Sequence, residues 1–195
     1  SIALVVVARL KSWFKKSQDR LCQLSLLWII LKQNTKVFTV LTNTPNHKCL
    51  HKSRIVQANV KSVWDKWTTH SGLKSFIGLD NKVDLTPGGP YEIYFLLDNP
   101  EGTRGGEGNT VLSFLPHKML SFTWNAPPTI PEVRNHTHKT WVVVQLEEVD
   151  TTKTKVSLDH LGWLDGKKWD ETYAYFDRAW DIVLDSLKES LPVTD

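Results

Sequence analysis

Cysteine is scarce in this chain, which has two among 195 residues, at Cys22 and Cys49. Two cysteines are too few for a disulfide-stapled miniprotein, and because none follows Cys49, no cysteine-based metal or redox motif has the spacing it needs. The sequence leaves open whether Cys22 and Cys49 pair or stay as separate thiols. Only 10 glycines and 9 prolines, with 41% hydrophobic residues, exclude a collagen-like or largely disordered chain and favour one globular domain with an appendage.

The chain also lacks a long hydrophobic run. Its most apolar segment, residues 21–31, is shorter than the roughly 20 residues that cross a bilayer, so we expect no transmembrane span. The basic residues that precede this segment imitate a secretory leader, but no small-x-small cleavage site follows. We therefore predict a cytoplasmic protein, with export as the alternative if residues 1–51 contain a divergent leader. The arm 1–51 is otherwise interpreted as variable, poorly packed or absent from the mature protein.

The net charge of +3 hides an uneven distribution. Residues 1–54 contain ten Lys and Arg against one acid, Asp19, so the remainder of the chain is acidic. The basic residues are scattered through apolar stretches, without a zinc-finger, Gly-rich RNA-binding or helix-turn-helix signature. We therefore predict no nucleic-acid partner.

From residue 54 onward, hydrophobic periodicity indicates alternating short elements. Residues 54–58 read as a strand, Val60 to Trp67 as a helix with Asn59 as its N-cap, and 73–77 as a second short helix. A meander of six extended segments separated by turn residues follows, at 82–85, 91–97, 109–115, 119–125, 140–149 and 154–161.

The last segment has the clearest pattern in the chain. Apolar residues from Trp169 to Leu191 recur three or four residues apart, which predicts a long amphipathic helix that ends before Pro192. Its opposite side carries an acidic stripe spaced every four residues, formed by Asp177, Asp181, Asp185 and Glu189. The stripe is typical of a solvated face, and a binding ridge for a basic partner is the alternative.

Several of these segments resemble the START-related SRPBCC superfamily, and more narrowly the family of the carboxy-terminal domain of the activator of the ninety-kilodalton heat-shock protein ATPase. The resemblance is carried, in chain order, by Ala58-Asn59-Val60, Val63-Trp64, Trp67-Thr68-Thr69, Pro87-Gly88-Gly89-Pro90-Tyr91-Glu92, Leu120-Ser121-Phe122-Thr123-Trp124 and His160-Leu161-Gly162-Trp163. It covers residues 52–191 and leaves out the arm 1–51 and the tail 192–195. One departure is Asn59, where the family usually has proline, and either residue suits a helix start.

The resemblance implies an α+β helix-grip fold. A curved antiparallel sheet of six to seven strands would wrap around the long C-terminal helix, with two short helices after the first strand. Such folds often hold a small apolar molecule between helix and sheet. The family's co-chaperone also has a separate amino-terminal domain, and nothing in residues 1–51 looks like it.

Strand and helix alternation identifies the side chains that face this expected cavity. They are Tyr91, Ile93, Phe95, Phe122, Trp124, Val144, Leu158, His160, Tyr173, Phe176 and Trp180. His160 is the titratable member, and it would either orient a ligand or act as an acid or base, or else be a core histidine with satisfied hydrogen bonds. Four charged residues in the two longest loops, Arg104, Glu107, Glu132 and Arg134, are predicted at the pocket mouth.

The sequence offers little for catalysis, metal or cofactor binding. Asp159 and His160 are adjacent on a strand and point to opposite sides, so they form no dyad. The glycine-rich segment 102–108 lies between strands and lacks the helix terminus that binds phosphate. His136 and His138 lack a third metal ligand, so we predict neither metal nor cofactor. Asn135-His136-Thr137 matches a glycosylation acceptor, which matters only if the chain is exported.

Three functional hypotheses remain at this stage. The first, which we favour, is a domain with little or no enzymatic activity that holds a small apolar or aromatic ligand. The second is a chaperone-interaction module that uses the acidic stripe. The third is a cyclase- or aromatase-like enzyme in which His160 is the acid or base.

Overall fold

The computed structural model describes residues 48–191 of the chain. The predictions for residues 1–47, including the leader-like segment and the pairing of Cys22, and those for the tail 192–195 lie outside the described residues. Eleven elements follow one another: β1 (Leu50–Val56), α1 (Val60–Thr68), α2 (His70–Lys74), β2 (Asp80–Val83), β3 (Tyr91–Tyr94), β4 (Val111–Leu115), β5 (Met119–Trp124), α3 (Pro131–Arg134), β6 (Thr140–Asp150), β7 (Lys153–Leu161) and α4 (Lys167–Glu189).

The strands form the antiparallel sheet of a helix-grip fold, and the predicted α+β class is confirmed. Five strands are hydrogen-bonded in the order β1-β7-β6-β5-β4, while β2 and β3 form a separate two-stranded hairpin. Six to seven strands were expected, and the seven that residues 48–191 contain do not make one continuous sheet. The hairpin is joined to the chain around β4 by two isolated bridges, Pro90–Thr110 and Tyr94–Gly105, because the loop between β3 and β4 interrupts regular pairing.

The long helix α4 lies against the sheet through its aromatic stripe. Its buried residues recur at helical spacing and are Trp169, Thr172, Phe176, Trp180, Leu184 and Leu187. Each large apolar side chain buried in this way contributes about 1.5–3 kcal/mol relative to an exposed one. The helix begins after Gly166, whose φ of 130° is a conformation that side chains other than glycine's rarely adopt.

Two short helices follow β1 as predicted, and a side chain caps the N-terminus of each. The Asn59 side chain accepts a hydrogen bond from the Ser62 backbone N–H at 2.9 Å, which confirms Asn59 as the N-cap of α1. Thr69 separates the helices, since its hydroxyl accepts from the Gly72 N–H of α2 at 3.0 Å. The buried Tyr91 hydroxyl donates to the Trp67 carbonyl at 2.8 Å and so ties β3 to α1.

The acidic stripe of α4 is paired within the molecule. Lys52 Nζ of β1 lies 2.9 Å from Asp177 Oδ1 and 2.7 Å from Asp181 Oδ2. Arg54 of β1 contacts Asp181 at 2.9 Å and Asp185 at 2.8 Å. The stripe is therefore not a purely solvated face. It is not a free binding ridge for a basic partner either, because residues of β1 already pair with its carboxylates.

These contacts also perturb the titration of the stripe. Hydrogen bonds from Lys52 and then Arg54 lower the pKa of Asp181, and the hydrogen bond from Arg54 lowers the pKa of Asp185. Since like charges four residues apart on a helix repel each other, the two cations of β1 relieve a repulsion that α4 would otherwise carry alone.

No helix among residues 48–191 is long and apolar enough to cross a membrane.

We predict that the double substitution Lys52→Met and Arg54→Met lowers the free energy of unfolding by about 1–2 kcal/mol at low salt, because three carboxylates lose their partners. The loss should shrink in about 1 M NaCl, where screening acts over about 3 Å. Urea unfolding at both salt concentrations measures the effect. Lys61→Met is the control, since Lys61 pairs with Asp65 on the exposed side of a single helix and its substitution should cost no more than about 0.5 kcal/mol. A double variant as stable as the unmodified protein at low salt would contradict the prediction.

Candidate functional site

Aromatic rings fill the space beneath α4. Tyr91 and Phe122 stack with their ring centroids 4.2 Å apart, Phe176 and Trp180 stack at 6.0 Å, and Trp124 contacts Trp180 at 5.4 Å. Seven of the side chains predicted to line a cavity are packed into this core with at most 1% of their surface exposed. These are Tyr91, Ile93, Phe122, Val144, Leu158, His160 and Trp180.

Open space lies instead at the edge of this core, beside α4. A groove of about 330 Å³, here called the α4 groove, is lined by Phe95, Leu96, Gly105, Gly106, Trp124, Asn125, Ala126, Pro127, Pro128, Thr129, Tyr175 and Phe176. A smaller cavity of about 110 Å³ shares four of these residues and adds others, including Ala179 and Trp180. Three parts of the chain therefore form the walls: the loop after β3, the end of β5 with the loop that follows it, and one side of α4.

The structure brings some predicted cavity residues together here and places others elsewhere. Phe95, Trp124 and Phe176 line the α4 groove, and Trp180 lines the smaller cavity. Tyr173 lies apart from both, since its hydroxyl donates to the Cys49 carbonyl at 3.2 Å and its ring meets Trp163 edge-on.

Sequence reasoning did not identify Tyr175 or the loop 125–129 as part of a site. Strand alternation says nothing about a loop wall, and Tyr175 lies outside the buried stripe of α4. The available signal was the Pro127-Pro128 pair, which follows the end of β5 and lines the groove.

Two charged residues near the groove walls, Arg134 and Glu107, neutralise each other. Arg134 Nη2 lies 2.9 Å from Glu107 Oε2, and these side chains are only 7% and 16% exposed. Arg134 also donates to the carbonyls of Ala126 and Gly102 at 2.7 and 2.6 Å. The pair thereby fastens the loop after β3 to the loop after β5.

Glu107 is held as a carboxylate in this arrangement. It accepts the backbone N–H groups of Arg104 at 2.6 Å and Gly105 at 2.8 Å. Burial opposes its ionisation, but these backbone hydrogen bonds and the charge of Arg134 outweigh burial and lower the pKa of Glu107. The backbone N–H groups of the glycine-rich segment therefore bind a carboxylate of the same chain, that of Glu107.

The other two predicted mouth residues are placed differently. The Arg104 side chain donates to the Asn99 carbonyl at 3.0 Å, within its own loop. Glu132 is exposed and lies 3.8 Å from Lys168 on the surface. Only Glu107 and Arg134 come together.

His160 is part of a buried hydrogen-bond chain. Its Nδ1 accepts the Trp180 indole N–H at 3.0 Å, so its Nε2 carries the ring proton and donates to the Thr140 hydroxyl at 2.8 Å. The Thr140 hydroxyl donates in turn to the Trp124 carbonyl at 2.9 Å. Burial lowers the pKa of His160 to about 3, so the ring is neutral at pH 7. This geometry engages both ring nitrogens in holding Trp180 and β6.

The paired histidines after α3 are also engaged with their own chain. His138 Nε2 lies 2.7 Å from the Gly162 carbonyl, and His136 Nδ1 accepts the His138 backbone N–H at 3.0 Å. Within residues 48–191 no group of three or more His, Cys, Asp or Glu side chains is arranged to hold a metal ion.

Comparison with known proteins agrees with this architecture. A family model described as "Activator of Hsp90 ATPase homolog 1-like protein" matches residues 57–191. The chain belongs to this family. The resemblance inferred from the sequence motifs is thus confirmed. No curated protein matches the chain.

Solved structures share the fold at low sequence identity. A protein from Mesorhizobium loti is 19% identical, with a TM-score of 0.60 over 76% of this chain and 99% of its own. The Aha1 dimer from Colwellia psychrerythraea is 20% identical, with a TM-score of 0.56 over 74% of this chain and 96% of that one. An HSP90 activator from Plasmodium falciparum is 15% identical, with a TM-score of 0.53 over 71% and 92%.

We predict that the free energy of unfolding decreases as pH falls from about 6.5 toward 3. His160 has a lowered pKa in the folded state, so the unfolded chain binds its proton first, and the stability present above pH 6.5 is lost at up to about 1.4 kcal/mol per pH unit. Urea unfolding from pH 7 to pH 4 measures the slope. His160→Gln should remove this part of it.

Thr140→Val is the matched control. It removes the partner of Nε2 and should cost about 1–3 kcal/mol at every pH, but it keeps the titrating ring and so keeps the slope. If His160→Gln retained the full slope of the unmodified protein, the assignment of that slope to His160 would be wrong.

Proposed function

We propose that this protein binds a small apolar or aromatic molecule in the α4 groove. The observation that carries the proposal is an open, apolar groove of about 330 Å³, at the lower end of the volumes typical of ligand sites, bordered by aromatic rings from three different parts of the chain. The proposed site lies at the edge of the contact between α4 and the sheet, because Trp180 and its neighbours fill the space between them.

Exposed apolar side chains around the groove support the proposal. Phe95, Leu96 and Tyr175 line it and keep 39%, 46% and 41% of their surface exposed. A ligand that removes about 100 Å² of such surface from water gains about 2.5 kcal/mol from that burial. These residues are therefore better explained as walls of a binding site than as isolated surface hydrophobics.

The same lining argues for binding without chemistry. Tyr175 is the one titratable side chain among the lining residues, and His160 is enclosed in the core with both ring nitrogens bonded. A general acid or base must reach the group that it protonates or deprotonates. We therefore assign no catalytic role to His160 in this proposal.

A second candidate is a co-chaperone-type interaction module. It is favoured by the family to which the chain belongs and by the fold shared with the HSP90 activator from Plasmodium falciparum. The acidic stripe does not add to it, because Lys52 and Arg54 already pair with three of its four carboxylates. Any chaperone contact would use another surface.

We predict that Ala179→Phe weakens binding of the neutral fluorophore N-phenyl-1-naphthylamine at least tenfold. Ala179 is partly buried and lines the smaller cavity, four of whose walls also line the α4 groove, so a phenyl ring there should displace side chains that shape the groove. Ala174→Phe is the matched control, since it is the same substitution at an exposed position of the same helix. Fluorescence titration measures affinity, and circular dichroism confirms folding of both variants.

Binding of immobilised Hsp90 by the same three proteins separates the two candidates. If the fluorophore fails to bind the unmodified protein, or binds Ala179→Phe as tightly, the groove proposal is overturned. Retention of Hsp90 by all three proteins, with that result, would establish the second candidate in its place.

A further inference from the structure

We infer that the α4 groove selects uncharged, planar aromatic molecules over acids, amines and saturated rings of the same size. This inference deepens the proposed function and rests on it. It follows from the electrostatics of the walls, from their shape, and from the position of their free polar groups.

The walls contain no charged side chain. All twelve lining residues are apolar, glycine, proline or neutral polar residues. Transferring an ion from water into such surroundings is costly unless a counter-charge or several hydrogen bonds await it. An acid or an amine would therefore lose hydration in the groove without compensation, while a neutral molecule of the same shape would not.

Two of the charges near the groove cannot supply that compensation because they are already paired with each other. Glu107 and Arg134 are paired at 2.9 Å. Glu107 further accepts two backbone N–H groups, and Arg134 donates to two backbone carbonyls. A ligand carboxylate would have to displace Glu107 from this network, and a ligand ammonium would have to displace Arg134.

The shape of the walls favours a flat ring. Phe95, Trp124, Tyr175 and Phe176 present aromatic rings, which pack well against other rings in stacked or edge-to-face geometry. Gly105 and Gly106 form a wall without side chains. A Cβ atom at Gly105 would clash with the Ile93 carbonyl oxygen and approach Phe95 Cδ2 to 2.8 Å, so glycine at residue 105 lets this wall lie close against the end of β3.

Few polar groups of the lining residues are free. The Asn125 amide is occupied, since it donates to the Glu107 carbonyl at 3.0 Å and accepts from Asn109 at 3.3 Å. The hydroxyls of Thr129 and Tyr175, both exposed residues, remain to meet a ligand, and the buried Trp124 indole N–H has no hydrogen-bond partner among residues 48–191. The ligand class that fits is an aromatic ring system with one neutral polar substituent, such as a hydroxyl or carbonyl.

The test is displacement of bound N-phenyl-1-naphthylamine by four probes. 1-Naphthol is the matching molecule, 1-naphthoate and 1-naphthylmethylammonium add a charge of either sign, and decahydro-1-naphthol keeps the carbon skeleton without planarity. We expect 1-naphthol to bind at least tenfold more tightly than either ion and at least about fivefold more tightly than the saturated alcohol. Equal affinity for 1-naphthol and the ions would overturn the charge selection, and equal affinity for the two alcohols would overturn the planarity.

A designed change of preference tests the electrostatic argument directly. Thr129→Lys places an ammonium at the rim of the groove and should improve the affinity for 1-naphthoate relative to 1-naphthol at least tenfold. Thr137→Lys is the matched control, because it adds the same charge to an exposed loop position outside the groove and should leave the ratio unchanged. An unchanged ratio in Thr129→Lys, or an equal change in both variants, would overturn the inference.

Failure of the two hypotheses is distinguishable. If the fluorophore does not bind the unmodified protein, the proposed function fails and this inference fails with it. If the fluorophore binds and the probes show no selection, only the inference fails.

Discussion

The hydrogen bond from the Trp180 indole to His160 is the interaction on which the rest of this structure depends. Trp180 is the large ring at the centre of the contact between α4 and the sheet, and His160 fixes its orientation from β7. The Thr140 hydroxyl continues the chain to the Trp124 carbonyl, so three strands and the helix share one polar network inside an aromatic core. Because the Trp180 ring is fixed in this position, the space between α4 and the sheet is filled by side chains rather than by a ligand. The open volume is consequently found at the edge of the grip.

Much of the fold could be predicted because it follows from local periodicity. The apolar spacing of α4, the capping by Asn59 and the turn residues between strands each act within a few residues, and each is observed. The division of the seven strands into five and two could not be predicted. It depends on how the loop between β3 and β4 interrupts pairing, which is a property of backbone geometry around Gly105 rather than of hydrophobic pattern.

The site was harder to predict because its walls come from distant parts of the chain. The alternation of side chains along β3 correctly predicts that Tyr91 and Ile93 face the core. It does not predict that Trp180 fills the space over this face of the sheet. The acidic stripe is another example, since its partners are Lys52 and Arg54, and only the position of β1 beside α4 brings them together. The loop 125–129 has no regular secondary structure, and Tyr175 lies beside the buried stripe of α4. Hydrophobic periodicity therefore identifies neither of them as part of a site.

The contact between β1 and α4 also has a consequence for how the domain is made. Lys52 and Asp181 are separated by 129 residues, so the first strand and the last helix meet only after almost the whole domain has been synthesised. Folds rich in such long-range contacts form slowly, because a long loop must close before its contacts stabilise it. Until α4 emerges from the ribosome, the part of the sheet that α4 covers is exposed. The nascent chain therefore depends most on protection from aggregation in the interval before its last helix arrives.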